Sequence, residues 1–114
     1  MNENDYITEL TSRWPRDFET SLETIALVDA AVREFPRSPR LWCMRGCLIQ
    51  LGSETCPHSL DDALASFKRA IEIDPQFAEA WEEAAYCYHN VLDDETAALP
   101  YFREAERLRG HHAA

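Results

Sequence analysis

Glycine is scarce, with three residues in 114, too few for a fold built from tight turns and β-hairpins. No apolar run approaches the roughly 20 residues needed to cross a bilayer, so no membrane-spanning helix is expected. The opening Met1-Asn2-Glu3-Asn4-Asp5 is acidic and lacks the basic-then-apolar order of a secretory leader. Cys43, Cys47, Cys56 and Cys87 are therefore expected as reduced thiols in a cytoplasm, not as a disulfide framework. There is no G-x-S-x-G, no H-E-x-x-H and no glycine-rich phosphate loop, and the sequence points away from an enzyme. Positive charge is also in deficit, with a net charge of −10. Such a field repels DNA, RNA and anionic membrane surfaces. Arg33, Arg37, Arg40 and Arg45 gather locally, but Asp29 and Glu34 are interleaved with them. No nucleic-acid or membrane partner is expected, and no cofactor is implied.

What is present favours helices. The apolar fraction is 46% and the charged fraction 28%, ordinary values for a globular chain whose length suits one domain over 1–114. Alanine, leucine and glutamate, which lose little on entering a helix, are abundant. The chain also repeats itself. Ala63, Phe67 and Ala70 return 35 residues later as Ala98, Phe102 and Ala105. Ala31 and Pro36 stand 39 residues before Ala70 and Pro75, and Trp42 and Trp81 each follow a proline by six residues. Ala63, Phe67, Ala70 and Ile71 fall on one helical face. Trp42, Gly46 and Ile49 form a second stripe, matched by Trp81, Ala85 and Tyr88. Small residues at Gly46 and Ala85 let a neighbouring helix approach.

Start and stop signals lie between the stripes. Ser38-Pro39 reads as an N-cap followed by proline at the first helical position. Thr20-Ser21-Leu22-Glu23 and Ser59-Leu60-Asp61-Asp62 read as capping boxes or their close relatives. Asp74-Pro75 ends one helix and opens the next. Six helices are expected, near residues 3–13, 20–34, 39–51, 60–73, 77–91 and 96–109.

Trp42-x3-Gly46-x2-Ile49 followed by Ala63-x3-Phe67-x2-Ala70-x4-Pro75 resembles the signature of the tetratricopeptide repeat. Trp81, Ala85, Tyr88, Ala98, Phe102 and Ala105 resemble a second copy. The resemblance implies an all-α fold of antiparallel helix pairs stacked as a short right-handed superhelix. It divides the chain into a degenerate repeat at 5–36, a repeat with a lengthened inter-helix loop at 37–75, a repeat at 76–110 and a tail at 111–114. Four departures carry expectations of their own, one being Trp14-Pro15 right after the weak first helix, which implies a short helix and an irregular loop after it. Arg45 stands where the family has leucine, so its charged end is expected at a helix edge or in solvent. The loop Gly52–Ser59 is longer than the family's turn. Pro100 calls for a delayed start or a kink in the last helix.

The resemblance further implies a non-enzymatic protein-binding scaffold, in which the first helix of each pair lines a concave groove. Carried onto this chain, the middle repeat offers Arg40, Cys43, Met44, Cys47, Gln50 and Leu51, and the last offers Glu79, Glu82, Glu83, Tyr86, His89 and Asn90. The family's chaperone-tail binders place lysines, arginines and asparagines there, whereas these positions hold mostly acids and apolar groups. From Ala70 to Phe102 there are eight acids and no lysine or arginine, so a basic segment is the expected partner. The plain alternative is that the acidity serves solubility. Two other functions compete. A self-associating unit, or homodimer, would use Leu99, Tyr101 and Leu108 of the last helix. A thiol or metal protein would use Cys43 and Cys47, four apart on one helix, with Cys56, His58, Cys87 or His89. Packing is the bland reading of those cysteines, with Cys47 the more exposed and Cys87 the more buried.

Overall fold

A computed structural model describes residues 1–16 and 18–110; the tail 111–114, with His111 and His112, lies outside them. The described residues form helices without strands: α1 (Glu3–Ser12), α2 (Leu22–Glu34), α3 (Pro39–Gln50), α4 (Leu60–Ile73), α5 (Ala78–Tyr86) and α6 (Glu95–Gly110). A wider π turn at Cys87–Val91 prolongs α5.

The caps explain most of the boundaries. The Ser59 hydroxyl accepts from the Asp62 amide, and the Asp62 carboxylate accepts from the Ser59 amide at 2.9 Å, closing a reciprocal box at the start of α4. That amide hydrogen bond holds the Asp62 carboxyl below its ordinary value. The Ser38 hydroxyl accepts from the Leu41 amide, with Pro39 in the first turn. At α2 the cap is Ser21, which accepts from Thr24. Thr20, the expected first capping residue, does something else. Its amide donates to the Leu51 carbonyl at 2.9 Å and its hydroxyl to the Leu48 carbonyl at 2.8 Å. The irregular segment before α2 is thereby tied to the end of α3, where the long loop begins.

The helices pack as pairs, α1 on α2, α3 on α4 and α5 on α6, and α5 also packs on α3 and α4. Leu10, Ile25, Val28, Leu41 and Leu48 centre one apolar cluster, and Phe67, Ala70, Ala80, Ala84, Cys43 and Cys87 centre the next. Ala63, Ala70, Ala98 and Ala105 are all buried, as close helix contacts require.

The aromatic residues of the repeat stripes are buried to different degrees. Phe67 is fully buried, but Trp42, Trp81 and Phe102 are half-buried. Each indole lies at the surface of its pair with a fixed job: the Trp42 N–H donates to the Pro36 carbonyl at 2.9 Å, and the Trp81 N–H donates to the Pro75 carbonyl at 2.8 Å. The six-residue Pro–Trp spacing is the span of this hydrogen bond. Phe102 holds the place of Phe67 without a further helix pair over it among the described residues.

Arg45 also departs from expectation, since its guanidinium turns inward. It donates to Asp29 at 2.9 Å and to the Ser66 hydroxyl at 2.6 Å. His58, from the long loop, meets the same Asp29 at 2.7 Å. The charge is therefore held between α2, α3, α4 and the loop, where hydrogen bonds satisfy it. The loop residues make His58 available for this contact. Pro100 does not delay α6, which starts at Glu95 with Asp94 accepting from the Ala97 amide. It stands in the second turn, where its missing N–H leaves the Thr96 carbonyl without the usual amide from four residues on.

Candidate functional site

The first helix of each pair contributes to one concavity. Thr11 at the end of α1 and Trp14 just beyond it, Arg40, Met44 and Cys47 from α3, and Glu79 and Glu83 from α5 line a hollow of about 270 Å³. On α3 the spacing of Arg40, Met44 and Cys47 is i, i+4, i+7, and on α5 Glu79 and Glu83 are i, i+4, so each set shares a face. The floor is apolar: Met44 is buried, and Trp14 packs against the first cluster.

Glu83 lies in the hollow with a second acid, Glu79, and one cation, Arg40. Burial pushes its carboxyl above the ordinary range, and the charges of Glu79 and Glu82 push the same way, against the Cys47 thiol and Arg109. Arg40 reaches Glu79 only at 3.9 Å. Among the described residues no ion pair involves Glu83, whereas Glu82 is held by Arg109 at 2.8 Å. The run of acids is thus compensated in part from outside itself. Cys47 sits at the base of the hollow, and the Cys43 sulfur beside it, burial and the Glu83 charge push its thiol far above the ordinary range.

The expected groove residues fall into five groups. Arg40, Met44, Cys47, Glu79 and Glu83 come together. Cys43, 2% exposed, turns into the second cluster instead of the hollow. Glu82 and Tyr86 lie on the neighbouring stripe of α5, facing α6, where the Tyr86 ring meets Phe102 edge-on at 5.1 Å between centroids. His89 and Asn90 fall in the π turn, whose wider winding takes them off the α-helical stripe. There His89 bonds Asn90 at 2.7 Å and stands 3.6 Å from Glu95. Gln50 is half-buried and Leu51 exposed at the end of α3.

Sequence reasoning missed Thr11 and Trp14. The Trp14-Pro15 pair reads first as a helix stop; a tryptophan standing off the repeat frame was the available signal. Of the residues assigned to self-association, Leu99 is exposed and Leu108 half-buried. Tyr101 packs inward, with centroids 5.5 Å from Trp81 and 5.2 Å from Tyr88, and Lys68 lies over the Tyr88 ring.

Among the described residues no three His, Cys, Asp or Glu side chains converge so as to hold a metal ion. No helix among them is long and apolar enough to cross a membrane. Residues 66–98 match the family model of the tetratricopeptide repeat. A comparison with curated proteins returned no match. The chain thus carries a tetratricopeptide repeat running from mid-α4 into α6, and such repeats generally mediate protein–protein interaction.

Proposed function

We propose that this repeat-bearing chain is a non-enzymatic binding module whose hollow between α1, α3 and α5 takes a peptide or helix through a lysine or arginine side chain. The cation would stand at Glu83 with Glu79 beside it, and the aliphatic stem would lie on Met44, Cys47 and the Trp14 ring. The observation that carries this reading is Glu83, a half-buried carboxylate that joins no ion pair among the described residues and sits beside an apolar floor. Burying a charge without a partner costs the fold free energy. Solubility alone is served by exposed acids and gives no reason for one in a hollow. A cation supplied by a partner would relieve that cost, and the apolar floor would add contact area.

Peptide-array selection on the purified chain tests the reading. Selected peptides should share a lysine or arginine flanked by apolar residues, and binding should weaken as salt screens the pair over about 8–10 Å. Replacing Glu79 and Glu83 together by lysine should abolish capture. Selected peptides that lack a cation, or capture unchanged by that double replacement, would remove the hollow as the binding site.

A further inference from the structure

The last helix pair presents a second surface that shares no lining residue with the hollow. Phe102 and Ala105 stand 35 residues after Phe67 and Ala70, and Glu82 and Tyr86 stand 39 residues after Cys43 and Cys47. On the earlier pair this surface is covered by α5 and the π turn that prolongs it, whose Ala80, Ala84 and Cys87 join Cys43, Phe67 and Ala70 in one cluster. On α5 and α6 nothing among the described residues covers it. An open cavity of about 480 Å³ remains, walled by Glu82, Tyr86, Phe102, Ala105 and Arg109. Tyr86 is 46% exposed and Leu99, further along α6, 47%.

Charge on α6 indicates what fits there. Arg109 is engaged by Glu82, and Arg107 by Glu104. Among the described residues Arg103 and Glu106, both exposed and one turn apart, join no ion pair. A helix running in the opposite direction and carrying the same two residues satisfies both. When α6 packs antiparallel on its own copy about a two-fold axis between residues 104 and 105, Arg103 faces the partner's Glu106 and Glu106 faces the partner's Arg103. The same register sets Leu99 opposite Gly110. Among the described residues, a Cβ added at Gly110 would meet only Glu106 Cγ, at 3.8 Å, so the bare backbone leaves room there for a leucine.

We propose that the chain forms a two-fold dimer through α6, with Leu99 and Phe102 as the apolar contacts and the Arg103–Glu106 pair, made twice, as the determinant of register. Such an isologous contact is closed, because the same patch serves both copies. It depends on Arg103 and Glu106 and not on Glu83, so it stands or falls apart from the peptide-binding reading.

Sedimentation equilibrium of the full chain and three variants tests it, with circular dichroism to check that each variant folds. The wild-type chain should dimerise. Arg103→Glu places like charges opposite each other twice, as does Glu106→Arg, and each alone should weaken dimerisation by roughly tenfold or more. The double variant Arg103→Glu with Glu106→Arg restores opposite charges and should recover the dimer. An equimolar mixture of the two single variants should form a heterodimer, since each then supplies what the other lacks. A wild-type chain that stays monomeric at the highest attainable concentration would overturn the proposal. So would a dimer that both single reversals leave intact, or one that the double variant fails to restore.

Discussion

A Cβ placed on Gly46 would stand 2.5 Å from Cε1 of Phe67 and 2.7 Å from its Cζ. The ring of α4 therefore lies directly on the bare backbone of α3, and this contact sets how closely that pair packs. Alanine at 46 has better helix propensity by about 1 kcal/mol, but it forces the ring away from a fully buried site. Overpacking of this kind costs about 1–3 kcal/mol. Gly46→Ala should lower stability in a denaturant titration, and Gly46→Ala with Phe67→Leu should recover part of the loss. If Gly46→Ala were stabilising, the packing of α3 on α4 would be looser than described.

Phe67 itself is 0% exposed at the centre of the second cluster. Phe67→Ala should cost about 3–5 kcal/mol, a large share of the stability of a chain this size. Phe102→Ala, at the matching position but half-buried, should cost clearly less. Equal losses at the two positions would mean that Phe102 is covered after all.

The contrast between these two phenylalanines shows what could be read from the sequence. Periodicity reports which residues share a face, and it placed the helices and the buried alanines. It does not report whether another element covers that face, which is why Phe102 looks like Phe67 on paper. The Pro–Trp spacing was legible, but its cause is a tryptophan N–H bonded to a carbonyl, which leaves the ring half-exposed. Arg45 was read from its type alone, because Asp29, Ser66 and His58 are far from it in sequence and only the tertiary fold brings them to its guanidinium. The same holds for the hollow: Met44, Glu79 and Glu83 were legible through the resemblance, but Trp14 lies outside any repeat frame.

Arg45 and Asp29 are 14% and 23% exposed at the side chain, so each depends on the other for part of its hydrogen bonding. Arg45→Ala leaves the Asp29 carboxylate and Ser66 short of a donor, and should cost about 3 kcal/mol. Replacing both members, Arg45→Leu with Asp29→Leu, should cost less than Arg45→Ala alone, because no charge is stranded. A double-mutant cycle measures the coupling. Additive losses would show that the two side chains do not act as a pair.

Cys47 should be a poor nucleophile although it borders an open hollow. The Cys43 sulfur, burial and the Glu83 charge all oppose its ionisation, and the thiolate is the reactive form. In the folded chain at mildly alkaline pH, iodoacetamide should label Cys47 slowly, with peptide mapping to locate the adduct. Glu83→Gln removes one of the opposing charges and should speed that labelling. Rapid modification of Cys47 in the wild-type chain would contradict the description of its surroundings.

Glu83 links stability to binding with a definite sign. Its folded-state pKa is raised above the ordinary 4.5, mainly by burial. The folded chain therefore binds this proton more tightly than the unfolded chain does. The stabilisation from that proton is fully present below about pH 4.5 and is lost as pH rises through the raised folded value. Glutamine keeps the shape without the charge, so Glu83→Gln should be more stable than wild type at pH 7. That advantage should fade as pH falls through the raised value and be absent below about pH 4.5. Peptide binding should run the other way: a lysine favours the ionised carboxylate, so wild-type affinity should fall as acid protonates Glu83. In Glu83→Gln affinity should be weaker at pH 7 and flatter over the same window. Thermal melts and titration calorimetry across that window check both halves. A variant that gains stability equally at pH 7 and pH 4 would owe the gain to something other than the Glu83 charge. A variant that gains stability at pH 7 while binding as tightly as wild type would mean that the charge is not used by the partner.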